Sequence, residues 1–140
     1  VSQTTKHTFD ALTGANQTGF KDGWGLASPF LGRVPKWSNS RSWLKNVIRP
    51  EALPANYGRD EYPYNTTIPG GPIFYELHTV SVRPVPKYEK QGPMLESFYT
   101  KANVERNDPE KMWFIVGTTK GTASFYIDRD GVLKTDLNRG

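Results

Sequence analysis

Asp60 and Glu61 stand side by side, directly ahead of Tyr62-Pro63. In a strand their side chains would leave on opposite faces, whereas in a turn before a proline both carboxylates can converge on one cation. Hard oxygen donors of this kind suit Mg²⁺, Mn²⁺ or Ca²⁺. Adjacent acids are common on solvated surfaces, so the pair gains meaning only from its neighbours. His78 lies in a β-branched and aromatic stretch, where an imidazole beside a metal can act as general base. An exposed or hydrogen-bonded strand histidine is the commoner outcome, and His7 falls in a segment with no readable pattern. Asp128-Arg129-Asp130-Gly131 has the look of a calcium-loop opening, but no glutamate follows where such a loop needs one, and a tight turn is expected. Gly117–Gly121 reads as a hairpin turn rather than a phosphate loop, because no helix follows to offer its N-terminal amides.

Cations are arranged more suggestively. Arg41, Lys45 and Arg49 recur at four-residue steps, which on a helix places them along one flank, as a phosphate-contacting row or as a solvated face. The whole chain carries 18 Lys and Arg against 14 Asp and Glu, a formal charge of +4 that biases it mildly toward polyanions. With no cysteine among 140 residues, disulfide scaffolds, thiol catalysis and cysteine-ligated metal centres are excluded. No apolar run approaches the roughly 18–20 residues of a membrane span, and Val1–Lys6 lacks the apolar centre of a signal peptide.

The elements that must position these residues form one expected domain. At about 150 residues a chain buries roughly 68–70% of its unfolded surface, enough for a core without staples. Residues 1–39 read as a loop-rich segment packed on the domain through Phe20, Trp24, Phe30 and Trp37, and residues 40–140 as the domain body. Trp43, Leu44, Val47 and Ile48 predict a short helix opened by Ser40 or Ser42 and stopped by Pro50. Ile73 to Val85 predicts a strand broken or ended by Pro84 and Pro86. Gln91 to Ala102 predicts a helix with Pro93 in its first turn and Met94, Leu95, Phe98, Tyr99 and Ala102 as its buried stripe. Lys111–Val116 and Thr122–Ile127 predict two strands, and Asp128–Gly131 turns into a last short one. The sum is an α+β fold with a mainly antiparallel sheet and a few short helices.

Arg59-Asp60-Glu61-Tyr62-Pro63, followed by Gly70-Gly71, resembles the signature of the NucA/NucB family of non-specific deoxyribonucleases. The order continues: Val85–Gly92 is similar to the family's Val-Pro segment with an acid shortly before Gln-Gly, and Leu95–Tyr99 to the helix after it. Ser40–Asn56 is similar to its basic helix and proline-containing approach. The resemblance spans roughly residues 40 to 116; Gly58, Tyr64-Asn65 and the spacing between Glu89 and Gln91-Gly92 depart from the pattern.

The resemblance implies phosphodiester hydrolysis aided by a divalent metal, Mg²⁺ or Mn²⁺, which would stabilise charge on the phosphoryl oxygens and activate water. Asp60, Glu61 and Glu89 would then be metal ligands or a water-orienting base. Arg59, Arg83, Lys87 and Lys90, with Arg41, Lys45 and Arg49, would bind phosphates. The expected protein is a sequence-tolerant DNase without a small-molecule cofactor. Its setting is the toxin tip of a larger secreted bacterial protein, delivered into a target cell and neutralised by an acidic immunity protein. An RNA-cleaving toxin and a non-catalytic polymer- or partner-binding module, built on surface aromatics such as Trp24 and Trp37, are the alternatives.

Overall fold

Ser2 and Gly14 bracket the first element. The Ser2 hydroxyl accepts the Thr5 N–H at 3.0 Å, and Gly14 closes the end in the left-handed region at φ 78°, so Gln3–Thr13 form helix α1. Over Gln3–Thr13 the expectation of a loop is therefore corrected. Apolar periodicity is what reveals a helix, and the buried residues of α1 are Thr4, Thr5, His7, Thr8, Asp10 and Ala11. The computed structural model describes residues 2–14, 27–35, 40–106, 108–119, 123–128 and 130–134. The expected packing of Phe20, Trp24 and Trp37 thus lies outside the described residues. Phe30 opens β1 (Phe30–Arg33) and is half exposed, stacked flat on Trp113 with ring centroids 4.9 Å apart.

The helix expected from Ser40 is a single turn, α2 (Leu44–Val47), because Ile48 is already extended and Pro50 begins a separate 3-10 turn. Strands β2 (Tyr57–Tyr62) and β3 (Thr67–Ile68) follow. The single strand expected over Ile73–Val85 divides into helix α3 (Pro72–Glu76) and strand β4 (Ser81–Pro86). Pro72 has its φ preset for a first turn, and His78, in the left-handed region at φ 66°, reverses the chain between the two. His78 is thus a turn residue and not a strand residue. Pro84 and Pro86 lie inside β4. Lys87 N–H donates to Asn56 O at 2.9 Å across the ribbon, so the even-numbered positions turn their missing donors to the edge that β2 does not pair.

Helix α4 (Gln91–Lys101) carries its expected stripe: Leu95, Phe98 and Tyr99 are buried, and Met94 and Ala102 pack against them. Strands β5 (Trp113–Thr119), β6 (Ala123–Asp128) and β7 (Leu133–Lys134) follow. Gly117–Thr119 extend β5 rather than turn, and the rest of that hairpin tip, like Arg129, lies outside the described residues.

Among the described residues two antiparallel sheets result, a five-stranded one in the order β3-β1-β5-β6-β7 and a two-stranded ribbon of β2 and β4. The fold is α+β. Phe98, Tyr99, Phe114 and Tyr126 form an aromatic cluster between α4 and the larger sheet, and Tyr62 and Tyr64 join the same core from the end of β2. The Tyr64 and Tyr126 hydroxyls meet at 3.0 Å, and Tyr62 donates to Ser28 O at 2.9 Å. No helix among the described residues is long and apolar enough to cross a membrane.

Gly70 owes its place to crowding, since a Cβ there would lie 1.9 Å from the Tyr64 carbonyl oxygen. Gly92, in α4, has nothing within 4 Å of that position. Urea denaturation of Gly70→Ala is expected to show a loss of more than about 2 kcal/mol. Gly92→Ala should be neutral or gain up to about 1 kcal/mol from helix propensity.

Candidate functional site

The β2–β4 register places Asp60 opposite Arg83 and Glu61 opposite Val82. Alternation along a strand then sends the two acids to opposite faces of the ribbon. Their expected convergence in a turn is corrected: both belong to β2, and the proline that follows lies beyond its end.

On one face the ribbon meets α1. His7 is fully buried, with Nδ1 2.7 Å from Asp60 Oδ2 and Nε2 2.8 Å from Ser81 Oγ. With Asp60 as carboxylate, Nδ1–H donates to it and Nε2 faces the serine hydroxyl. Three residues on, Asp10 accepts from Lys6 Nζ at 2.7 Å and from Arg83 at 2.8 Å. Burial opposes ionisation of Asp10, but the hydrogen bonds and charges of Lys6 and Arg83 outweigh it and hold the carboxyl below its usual range. Glu89, in the 3-10 turn Lys87–Glu89, accepts the N–H groups of Gln3 at 3.0 Å and Thr4 at 2.7 Å and also the Thr4 hydroxyl. It neutralises the positive end of α1, where backbone donors have no partner within the helix.

On the other face Glu61 is buried beneath Arg41, whose guanidinium donates to Oε1 at 2.6 Å. The Asn65 N–H approaches the same oxygen at 3.4 Å. Burial raises the Glu61 carboxyl to about 7, with the nearby Asp60 charge adding to the rise and Arg41 opposing it. Arg41 is largely exposed and also donates to Arg59 O at 3.1 Å, while Arg59 Nε donates to Ile48 O at 2.7 Å. Trp43 Nε1 holds Asn65 Oδ1 at 2.9 Å, which ties the turn after β2 to the segment before α2.

The structure therefore sorts the nominated residues into two groups. Glu61, Arg59 and Arg41 stand together, with exposed Lys45 and Arg49 on the same segment as Arg41. Asp60, Arg83 and Glu89 face α1, and Lys87 and Lys90 are exposed beside Glu89. The expected metal centre of Asp60, Glu61 and Glu89 is not assembled: strand alternation separates the first two, and the third is committed to a helix terminus. Among the described residues no group of three or more acids and histidines is arranged to hold a metal ion. This side-chain arrangement does not fit the implied Mg²⁺ or Mn²⁺.

Sequence reading missed Ser81 and Asp10 and set His7 aside. The signal was present in the Ser2 and Gly14 capping pair, since on any helix between them His7 and Asp10 share a face. Compared with known proteins, the chain matches no protein-family model, no curated protein and no solved structure.

The raised Glu61 carboxyl links stability to pH. Its value is about 7 when folded and near 4.5 when exposed, so the folded state binds more protons between these limits. Stability from this group is complete below 4.5 and is lost as pH rises through 7. Melting temperatures of the parent and Glu61→Gln, measured across that window, should differ in slope, the parent falling relative to the variant.

Proposed function

We propose that this chain is a nuclease, a sequence-tolerant endonuclease that hydrolyses DNA phosphodiester bonds, acting as an antibacterial toxin delivered into a target cell and held in check by an acidic immunity protein. The observation that carries this reading is Glu61, a buried carboxyl with its proton affinity raised to about 7, lying under an exposed arginine within a segment of further cations. A general base works best when its proton affinity lies near the working pH. Arg41 uses one guanidinium nitrogen on Glu61 and another on Arg59 O, and its remaining N–H groups are available to a phosphate. The phosphate it binds is thereby brought beside the base. Glu61 takes the proton of the attacking oxygen, and Arg41 stabilises the charge that grows on the phosphoryl oxygens. Lys45 and Arg49 extend the grip along the backbone without reading bases.

Cleavage of RNA is a second reading, favoured by one observation. A single carboxylate beside an arginine, with no set of metal ligands assembled among the described residues, suits attack by an internal 2′-hydroxyl better than attack by water. The same assay separates the two: purified protein is incubated with plasmid and with RNA, in Mg²⁺, in Mn²⁺ and in EDTA. Plasmid cleavage supports the DNase, and cleavage of RNA with the plasmid left intact supports the second reading. Intact nucleic acid under every condition overturns both.

Glu61→Gln is expected to slow cleavage by about two orders of magnitude or more with the fold retained, as circular dichroism would confirm. In the parent the rate should rise with pH as Glu61 loses its proton near 7. Equal rates for parent and variant would remove Glu61 from the chemistry.

Affinity for unrelated duplexes, titrated with the Glu61→Gln protein, should fall steeply with salt at about −0.9 per neutralised phosphate. Lys45→Ala or Arg49→Ala should each flatten that slope by about one unit for every sequence alike.

A further inference from the structure

Trp43 stands within the segment of cations that flanks Glu61. The N–H groups of Leu44, Lys45 and Asn46 donate to Arg41 O, Ser42 O and Trp43 O at 3.1, 3.3 and 3.0 Å, which winds residues 41–46 into consecutive turns. Leu44 is thereby buried, while Arg41 and Lys45, four residues apart, are exposed to either side of Trp43 along the chain. The indole Nε1–H is engaged by Asn65 Oδ1, and the N–H of that buried Asn65 approaches Glu61. One edge of the Trp43 ring is therefore tied, through a single residue, to the Glu61 carboxyl.

Tyr75 of α3 supplies a second ring. Its centroid lies 5.4 Å from that of Trp43 with the planes inclined by 46°, so neither ring covers the face of the other, and both residues are half-buried. Phe30 and Trp113 show the contrast: at 4° and 4.9 Å they cover each other, and Arg33, on the strand of Phe30, donates to Val104 O and Glu96 instead. An aromatic face held among cations is what a nucleotide recognises, since its phosphate pairs with the cation while its base stacks on the ring. Bases inside a duplex are already stacked on both sides, so an unpaired strand is the form that offers one.

We propose that Trp43 and Tyr75 form a stacking platform for one base of a single-stranded nucleic acid, whose neighbouring phosphates are held by Arg41 and Lys45. The platform rests on the nuclease reading for what is done to the strand, and not for the binding itself. It names the substrate class as an unpaired segment of DNA or RNA, in which base stacking adds to a phosphate grip that duplexes share. Sequence tolerance is preserved, because every base has a π-face. A base seated there brings its own backbone to the Arg41–Glu61 pair.

Fluorescence anisotropy of the full chain, carrying Glu61→Gln so that strands stay intact, tests the platform with labelled probes of equal length: an oligothymidylate, the same backbone without bases, and a duplex. The oligothymidylate is expected to bind at least about tenfold tighter than the abasic strand, as stacking of one base allows. Trp43→Leu should abolish that preference and leave affinity for the abasic strand and the duplex within about twofold, which a disturbed fold would not do. Trp43→Phe, which keeps a ring but loses the donor to Asn65, should retain most of the preference. Tyr75→Leu should lower it too, and serves if Trp43→Leu unfolds the chain. An oligouridylate run alongside distinguishes RNA from DNA, and tighter binding of either over the abasic strand supports the platform. Neither strand bound more tightly than the abasic one, or a preference that survives both leucine variants, would overturn it. Uptake onto anionic vesicles with no binding of either strand would do the same. The two proposals fail separately. A Trp43-dependent base preference without cleavage of plasmid or RNA removes the nuclease and keeps the platform, whereas cleavage without that preference keeps the nuclease and removes the platform.

Discussion

The alternation of side chains along β2 governs everything around the site. Adjacent residues of a strand cannot face the same way, so pairing Tyr57–Tyr62 with Ser81–Pro86 assigns Asp60 to α1 and Glu61 to Arg41. A shift of the ribbon by one residue would exchange those environments and bury Arg59 where Asp60 now sits. Tyr62 resists that shift: it is fully buried, it lies edge-on to Tyr64 at 5.3 Å, and its hydroxyl is bonded to Ser28 O. The aromatic core thereby fixes the register, and the register distributes the charges.

Two buried carboxylates show how environment, and not residue type, sets acid–base character. Asp10 and Glu61 are both removed from water, and burial raises the proton affinity of each. Asp10 is answered by two cations in direct contact and stays easily ionised. Glu61 has one, and it also feels the like charge of Asp60 from across the strand. Arg41 alone does not offset the burial of Glu61, so a proton remains exchangeable near neutrality. The same imbalance weakens the fold as pH rises through that range.

The molecule is also divided by the kind of force that holds its parts. Between α4 and the five-stranded sheet, contact is aromatic and apolar, with Phe98 touching Tyr99, Phe114 and Tyr126. Between α1 and the ribbon it is polar, running from Glu89 through His7 to Arg83. Apolar burial is strong and non-directional, so it settles the architecture. Polar contacts are directional and nearly balanced by hydration, so they settle position while remaining open to exchange.

The sequence by itself determined what depends on local pattern. The stripe of Leu95, Phe98 and Tyr99 is legible because a core-facing helix repeats apolar residues at its own period, and β5 and β6 are legible because their runs are β-branched and aromatic, although β5 continues through Gly117 to Thr119. The Arg59–Pro63 run and the cations around it marked the neighbourhood of Glu61 for the same reason, since contiguous residues stay close in any fold. Helix α1 escaped because its buried face is polar, and α3 because Pro72 starts a helical turn in residues whose composition favours a strand. Only the tertiary structure decided that Glu89 caps a helix, that His7 bridges Asp60 and Ser81, and that Asp60 and Glu61 part company. The Glu89 and His7 contacts join positions 53 to 86 residues apart, and they depend on strand register and helix docking, which no local spacing encodes.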